Sequence, residues 1–474
     1  MGGLKKGTEI ELVVENLSFG GKGLARVNGL VVFVDRTIPG QRVLVRITRK
    51  KSSYAEARVL AVLEDSPQAI PPRCTHFGTC GGCLWQNLPY EEQLRVKRDM
   101  VWECLAHIGG LLHDVVLPAL PSPQIYYYRN KMEFSFAVRR WLSKGEMDRN
   151  HMQKPRNFAL GLHVKRFYNR VLDIEECHLQ SPLSVAILKQ VRRFALASGL
   201  PPYNTLDHSG FWRFLVVRDS KHTGQILVEL ITAPHRSTAS LTEKLAIVLL
   251  AEVPEITTLI HGVSAKKAQI ASADSQRLIL GPGYIEEWLG DFHFRISSEA
   301  FFQTNSQAGK ILLDQVLAGC ALTGPEVVWD LYCGTGTMAI GVAKGARKVI
   351  GFELNQEAVA DARINAGLNG IDNCEFLVGD LVGLLNNPSH LLDQYGEPDV
   401  VVTDPPRAGM HPSVVKQLAA LAPPKIVSVS CNPATLARDL KMLTEKYRLL
   451  RVQPVDMFPH TPHIEAVAVL ERRD

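Results

Sequence analysis

Val327-Val-Trp-Asp330-Leu-Tyr332-Cys-Gly334-Thr-Gly336-Thr337 is an apolar, β-branched run that stops at two glycines and passes into the helical pattern of residues 337–344. Strand, glycine turn and helix in that order open a parallel α/β sheet. The alternation continues outward. Residues 348–354 read as a second strand, 356–368 as a helix, and 374–379, 399–403 and 425–430 as further strands with helical segments between them. Residues 290–474 are therefore expected to form a doubly wound domain. Ligands of such sheets bind outside the carboxyl ends of the strands. The residues at those ends become the candidates: Tyr332 and Gly334 after the first strand, Glu353 at the second, Asp380 after the third, Asp404 after the fourth and Cys431 after the fifth.

Two kinds of ligand fit the first turn. Gly334-x-Gly336-x-x-Ala339 satisfies the relaxed dinucleotide fingerprint, with Glu353 ready for ribose hydroxyls, so an NAD enzyme is one reading. The fourth strand argues otherwise. It ends in Asp404-Pro-Pro-Arg407-Ala-Gly-Met-His-Pro, a rigid loop that fixes a carboxylate beside the crevice and that a dehydrogenase does not need. The order Asp330, Gly334, Gly336, Glu353, Asp380, Asp404 is similar to that of class I S-adenosylmethionine methyltransferases. Amine methyltransferases of that class commonly carry an aromatic residue after Pro-Pro. Here the position is Arg407, and one strand later Ile426-Val-Ser-Val-Ser430-Cys431-Asn-Pro brings a thiol to the same edge. Carbon methylation becomes the expectation. Taken by itself, Cys431 is equally a nucleophile or a small buried hydrophobe.

At 474 residues and 46% hydrophobic, the chain exceeds one ordinary core, so several domains are expected. No run of about 18 apolar residues exists to span a bilayer, and residues 1–8 lack an apolar leader, so the expected location is the cytoplasm, without membrane association. Nine cysteines under those conditions argue for metal or catalytic thiols rather than disulfides.

Charge concentrates at the amino end. The first 60 residues carry eleven Lys/Arg against five Asp/Glu, a net +6, whereas the whole chain is +5. Short β runs at 9–15, 30–34, 41–48 and 55–63 are separated by Gly20-Gly21, Asn28-Gly29 and Pro39-Gly40 turns, the pattern of a small Greek-key barrel of OB type. Arg49-Lys50-Lys51 would meet phosphates without reading sequence. The segment resembles the TRAM domain, a small RNA-binding barrel. Its expected extent is residues 1–66.

A mixed α+β region is expected over 67–289. It opens with a proline-marked linker and then Cys74-Thr-His-Phe-Gly-Thr-Cys80-Gly-Gly-Cys83, three thiols that can converge on one soft metal. Cys177 in Asp-Ile-Glu-Glu-Cys-His-Leu is the best candidate for a fourth ligand, and spacing does not choose between zinc and an iron-sulfur cluster. Residues 90–112 have helical spacing, 126–138 alternate like strands, and 211–218 with 225–232 read as a hairpin. Aromatic and basic residues interleave in Tyr128-Arg-Asn-Lys131 and Lys165-Arg-Phe-Tyr-Asn-Arg170, which suits stacking on unpaired bases beside phosphate contacts.

Nearly the whole chain resembles the RNA uracil-5-methyltransferase family, in its TRAM-bearing, iron-sulfur form acting on 23S ribosomal RNA. The matching pieces are Tyr128-Arg-Asn-Lys-Met-Glu-Phe-Ser-Phe, Asp173-Ile-Glu-Glu-Cys-His-Leu-Gln, Phe301-Phe-Gln-Thr-Asn, Asp330-Leu-Tyr-Cys-Gly-Thr-Gly-Thr, Asp404-Pro-Pro-Arg-Ala-Gly, Ser430-Cys-Asn-Pro-Ala-Thr and Phe458-Pro-His-Thr-Pro-His-Ile-Glu465. That likeness implies a [4Fe-4S] cluster on Cys74, Cys80, Cys83 and Cys177. It implies methyl-donor contacts from Gln303, Tyr332, Gly334, Glu353, Asp380 and Asp404, with Cys431 as nucleophile and Glu465 as base. The chemistry needs those types. Uracil C5 attacks a methyl donor only after a thiolate has added to C6, and a base must then remove the C5 proton before the thiol leaves. The target base must leave its stack, so an RNA loop or remodelled segment is the expected partner, with no obligate protein partner evident. A transfer RNA substrate and a non-catalytic RNA-binding or assembly role are the alternatives.

Overall fold

The five apolar runs form the parallel part of a seven-stranded sheet in the computed structural model, which describes residues 4–111, 114–147, 154–165, 167–235 and 238–474. Contacts divide the chain into two units, residues 1–72, 83–125 and 308–474 in the first and residues 73–82 and 126–307 in the second.

In the first unit the strand order is Cys374–Val378, Lys348–Glu353, Val327–Leu331, Val400–Thr403, Lys425–Ser430, Glu465–Arg472, Tyr447–Val455. The order reverses beside Val327–Leu331, where its neighbours Lys348–Glu353 and Val400–Thr403 lead away in opposite directions, and this opens a crevice at the strand ends. Trp329, Ile350, Phe352 and Ile426 are fully buried beneath it. The last two strands lie outside the alternation read from the sequence. Glu465–Arg472 runs antiparallel to Lys425–Ser430 with Ala466 opposite Ser430, so Glu465 arrives beside the residue that follows Ser430.

The helix expected over 90–112 is α-helical from Tyr90 to Cys104, then widens into a π turn at Leu105–Gly109 and stops at Gly110, whose φ of 66° ends it. Leu112 lies outside the described residues. Beyond this helix the chain adds an edge to the sheet: Leu117 N–H donates to the Val452 carbonyl at 3.0 Å and Leu120 N–H to that of Pro454 at 2.9 Å.

Among its described residues the basic amino-terminal segment has six strands, two more than the apolar runs suggested, because Asn16–Leu17 and Gly23–Val27 are too short or too polar to show in the sequence. The ring closes through one bent strand. Glu9–Val13 pairs with Arg42–Lys50, while its continuation Asn16–Leu17 pairs with Gly23–Val27. At the bend, Val14 N–H reaches Gln41 O at 2.9 Å and Glu15 N–H reaches Leu24 O at 2.8 Å. Val32, Val34, Val43, Val45 and Ala55 fill the interior, and Arg49, Lys50 and Lys51 stand exposed at one end. The barrel has a second apolar face: Leu17 and Ile38 are buried with Trp85, Leu88, Val96 and Met100 of the segment that leads into and through the Tyr90–Cys104 helix.

The units therefore cut the chain differently from the linear division at 66/67 and 289/290. Residues 83–125 share cores with barrel and catalytic sheet, and the cut at 290 would split the hairpin Tyr284–Leu289 and Phe292–Ser297.

The second unit is a seven-stranded sheet in the order Ser275–Leu280, Ile256–Val263, Ile226–Thr232, Trp212–Asp219, Lys131–Ala137, Ala159–Val164, Phe167–Asp173. Its core gathers Phe134, Leu188, Trp212, Leu215 and Val228. Trp212–Asp219 and Ile226–Thr232 form the expected hairpin. The strand expected from Tyr126 begins only at Lys131, since Tyr127 takes a φ of 57°. Arg166 lies outside the described residues. Among the described residues no helix is long and apolar enough to cross a membrane.

Because Leu17 is buried against Trp85 and Met100, Leu17→Ala is expected to cost about 2–5 kcal/mol and to lower the melting of the first unit in one transition. A separate early transition confined to the barrel would show that the barrel folds independently.

Candidate active site

The strand Lys425–Ser430 delivers Cys431 to the carboxyl edge, and the helix Pro433–Leu443 starts immediately after it. Asn432 caps that helix, its Oδ1 accepting the Ala434 N–H at 3.1 Å, and Pro433 suits the first turn because its missing N–H would have no partner there. The Asn432 N–H donates to Ser430 Oγ at 3.1 Å, and its Nδ2 donates to the Arg407 carbonyl at 2.9 Å. Arg407 Nη2 in turn lies 3.2 Å from His463 Nδ1. Three loops are thus joined side to side: the Asp404–Arg407 loop, the Cys431 turn, and the loop that ends at Glu465.

The electrostatics are those of a crowded acidic crevice. Burial pushes the Asp404 carboxyl up to about 6. Burial, and then Asp404, hold Glu465 well above the usual carboxylate range against the pull of Arg407. The Cys431 thiol is pushed up to about 11 by burial, then by Glu465, with Arg407 opposing and Asp404 adding. Asp330 behind them is raised by burial first and Asp404 second. Arg407 is the cation that opposes the rise at both Cys431 and Glu465.

The other side of the crevice is built for a close approach. A Cβ at Gly334, where φ is 53°, would meet nothing within 4 Å, so the turn is open outward. At Gly336 a Cβ would lie 3.1 Å from Ala362 and 3.3 Å from Phe376, and its φ of 86° also favours glycine. Glu353 is locked to this turn, its Oε2 accepting the Gly334 N–H at 3.1 Å and its Oε1 the Asn355 N–H at 2.8 Å. Tyr332 sits at a φ of 69°, and its phenol is pushed up to about 12 by burial, then by Asp439 and Asp380. Asp380 caps the short helix Leu381–Leu384 through Val382 N–H at 3.1 Å. Asp404 N–H donates to the Leu331 carbonyl at 3.3 Å.

Gln303 belongs to the second unit, where its carbonyl accepts from Asn130 Nδ2 at 2.8 Å. Cys74, Cys80 and Cys177 belong to that unit as well, and Cys83 to the first. The Cys74 loop is stitched to the Cys177 segment: Thr75 N–H donates to Glu176 Oε1 and Glu175 N–H to His76 Nε2. Backbone N–H groups of His76 and Phe77 face the Cys74 sulfur, those of Leu179 and Gln180 face Cys177, and Gly82 N–H lies 3.4 Å from Cys80 Sγ. Among the described residues no three or more His, Cys, Asp or Glu side chains are grouped as a metal site. Cys104, Cys320 and Cys333 are buried, and Cys374 Sγ rests on the Ala339 carbonyl at 3.7 Å.

Sequence reading missed His463 and Asp439. The latter receives the Met410 N–H at 2.9 Å and so closes the Asp404–Met410 loop onto the helix that follows Cys431.

Comparison with known proteins settles the family. Residues 252–473 match the model described as tRNA (Uracil-5-)-methyltransferase, and residues 3–60 match the TRAM domain. A protein of Chlorobaculum tepidum named an uncharacterized RNA methyltransferase is 41% identical over 99% of this chain and 98% of its own. Another of that name from Nitratidesulfovibrio vulgaris is also 41% identical, covering 99% and 97%. The chain belongs to the RNA uracil-5-methyltransferase family. The solved tRNA (uracil-54, C5)-methyltransferase of Pyrococcus abyssi, in complex with S-adenosyl-L-homocysteine, is 29% identical with a TM-score of 0.74, covering 97% of this chain and 100% of the other. Members of this family use S-adenosylmethionine, so the enzyme is an S-adenosylmethionine-dependent RNA methyltransferase with a TRAM barrel.

With its thiol at about 11, unliganded Cys431 should be alkylated faster as pH rises, with no plateau below pH 9. Arg407→Ala removes a charge that lowers this pKa, so at pH 8 the rate should fall further. Peptide mass spectrometry of iodoacetamide-treated protein reads both, and a plateau near neutrality would refute this picture.

Proposed function

We propose that the enzyme methylates C5 of a uridine in RNA through a covalent adduct between Cys431 and C6, with Glu465 as the base that completes the reaction. The observation that carries this is the joining of Cys431, Arg407 and the Glu465 loop at one sheet edge by the Asn432 and His463 hydrogen bonds. The Cys431 sulfur gives up its proton to solvent and bonds to C6, and the displaced C5–C6 electron pair makes C5 a carbanion that takes the methyl as its bond to the donor sulfonium breaks and S-adenosylhomocysteine leaves. Glu465 then removes the C5 proton, the double bond re-forms and the thiolate leaves. S-adenosylmethionine supplies an electrophilic methyl on a cationic sulfur. Tyr332, Gly334, Glu353, Asp380, Asp404 and Gln303 are the proposed contacts for it. A cation held beside Asp404 would also lower the Cys431 and Glu465 ionisations and so favour the anions that the reaction needs.

For the substrate we propose 23S ribosomal RNA in the cytoplasm, with the basic barrel, tipped by Arg49, Lys50 and Lys51, gripping its phosphates. Transfer RNA is the second reading, supported by the similarity to the Pyrococcus abyssi tRNA methyltransferase. Mapping 5-methyluridine in RNA from cells with and without the gene decides between them, and a map without change would favour a non-catalytic role.

Cys74, Cys80, Cys83 and Cys177 are the proposed ligands of a [4Fe-4S] cluster. Backbone N–H groups that face three of the sulfurs support the reading, since such bonds tune iron-sulfur clusters, while the four thiols themselves are not gathered as a metal site among the described residues. Protein purified without oxygen should be brown and carry about four irons, and Cys177→Ser should lose or destabilise them. Zinc without iron, or full iron in Cys177→Ser, would remove the cluster or that ligand.

The two catalytic roles separate by order. Cys431→Ala should form no adduct and transfer no methyl group. Glu465→Gln should transfer it and then stall, leaving a denaturation-resistant, methyl-labelled complex of protein and RNA. RNA containing 5-fluorouridine should trap the wild type in the same way, because fluorine cannot leave C5 as a cation. Normal turnover by Cys431→Ala would overturn the covalent mechanism.

A further inference from the structure

Glu465 opens its strand, but the loop before it, residues 457–464, belongs to no strand among the described residues, so no ladder sets its path. That path is held instead by residues 84–97. Gln93 is fully buried, and its Oε1 accepts the His460 N–H at 2.8 Å. Its Nε2 lies 3.2 Å from His460 Nδ1, 2.8 Å from the Leu88 carbonyl and 3.0 Å from that of Trp85. The His460 carbonyl accepts the N–H groups of Leu84 at 2.9 Å and Trp85 at 3.1 Å. His460 itself has a φ of 65°, a conformation that non-glycine residues hold only when their surroundings impose it. One turn along the helix, Lys97 pairs with Asp456 and donates to the Phe458 carbonyl at 3.0 Å, with both charged side chains fully buried. Apolar residues at 93 and 97 would fill the same space. A buried amide and a buried ion pair fix direction as well as contact, and they carry a desolvation cost that apolar packing avoids.

We propose that Gln93, seconded by Lys97, is a positioning residue for the base: it sets the loop that aims Glu465, and so governs proton removal and thiol release rather than methyl transfer. This rests on the reading of Glu465 as the base. In the step concerned, Glu465 takes the proton from C5, the C5–H electron pair re-forms the C5–C6 double bond, and the C6–S bond breaks to return Cys431 as thiolate.

The test is a single turnover of full-length protein with methyl-labelled S-adenosylmethionine and 23S ribosomal and transfer RNA transcripts, following label in denaturation-resistant complex and in free RNA. In Gln93→Ala, label should enter the complex at close to the wild-type rate and leave it roughly 10- to 100-fold more slowly, the effect of a base displaced by about 1 Å. Lys97→Met should shift the partition in the same direction. Should Gln93→Ala not fold, Gln93→Met keeps the side-chain length without the hydrogen bonds to His460, and should show the same slow release with transfer unchanged. Release that keeps pace with transfer in Gln93→Ala and Lys97→Met overturns the proposal. So does an equal slowing of both steps with a lowered melting temperature, which marks a role in stability alone. If wild-type protein forms no adduct with the same transcripts made with 5-fluorouridine, the covalent reading itself has failed and the proposal falls with it.

Discussion

The antiparallel pairing of Ser430 with Ala466 is the constraint on which the site depends. A purely parallel sheet would give Cys431 the Asp404–Arg407 loop on one side and no returning strand on the other. The reversed strand turns the chain end back, so that Glu465 comes beside Cys431 at the carboxyl edge of a strand it does not follow in sequence. Register does the rest, because side chains alternate between faces along a strand and a slip by one residue would turn Glu465 to the other face. Arg407 then bridges the two sides, its carbonyl accepting from Asn432 and its guanidinium meeting His463.

That geometry has an electrostatic consequence. Asp330, Asp404 and Glu465 are all raised by burial, and Asp404 adds to the rise of the other two. Burial first, and then Glu465, push the Cys431 thiol up in the same crevice. Opposing charge comes from Arg407 within the protein, and a cationic ligand would add to it.

The barrel is part of the same construction. Its turn at Gly21 lies so close to the Glu465 loop that a Cβ there would stand 2.9 Å from Pro462, and its apolar face buries Leu17 and Ile38 with Trp85. A basic surface for RNA and the loop that carries the proposed base thus share one packed unit.

Much of this protein was legible in its sequence because the signals are local. Alternating strand and helix over residues 327–430 follow from side-chain periodicity, and the placing of Tyr332, Gly334, Glu353, Asp380, Asp404 and Cys431 at strand ends follows from chain order alone. Asn432-Pro433 as cap and first turn is equally local. What the tertiary structure decided is whatever joins distant residues. Lys97 and Asp456 are 359 positions apart, and nothing in either neighbourhood marks a charge that will be buried. The return strand that carries Glu465, the closure of the barrel through a two-residue strand, and the allotment of residues 83–125 to the catalytic unit are likewise set by which apolar faces cover one another. Periodicity tells that a face is apolar; only packing tells against what.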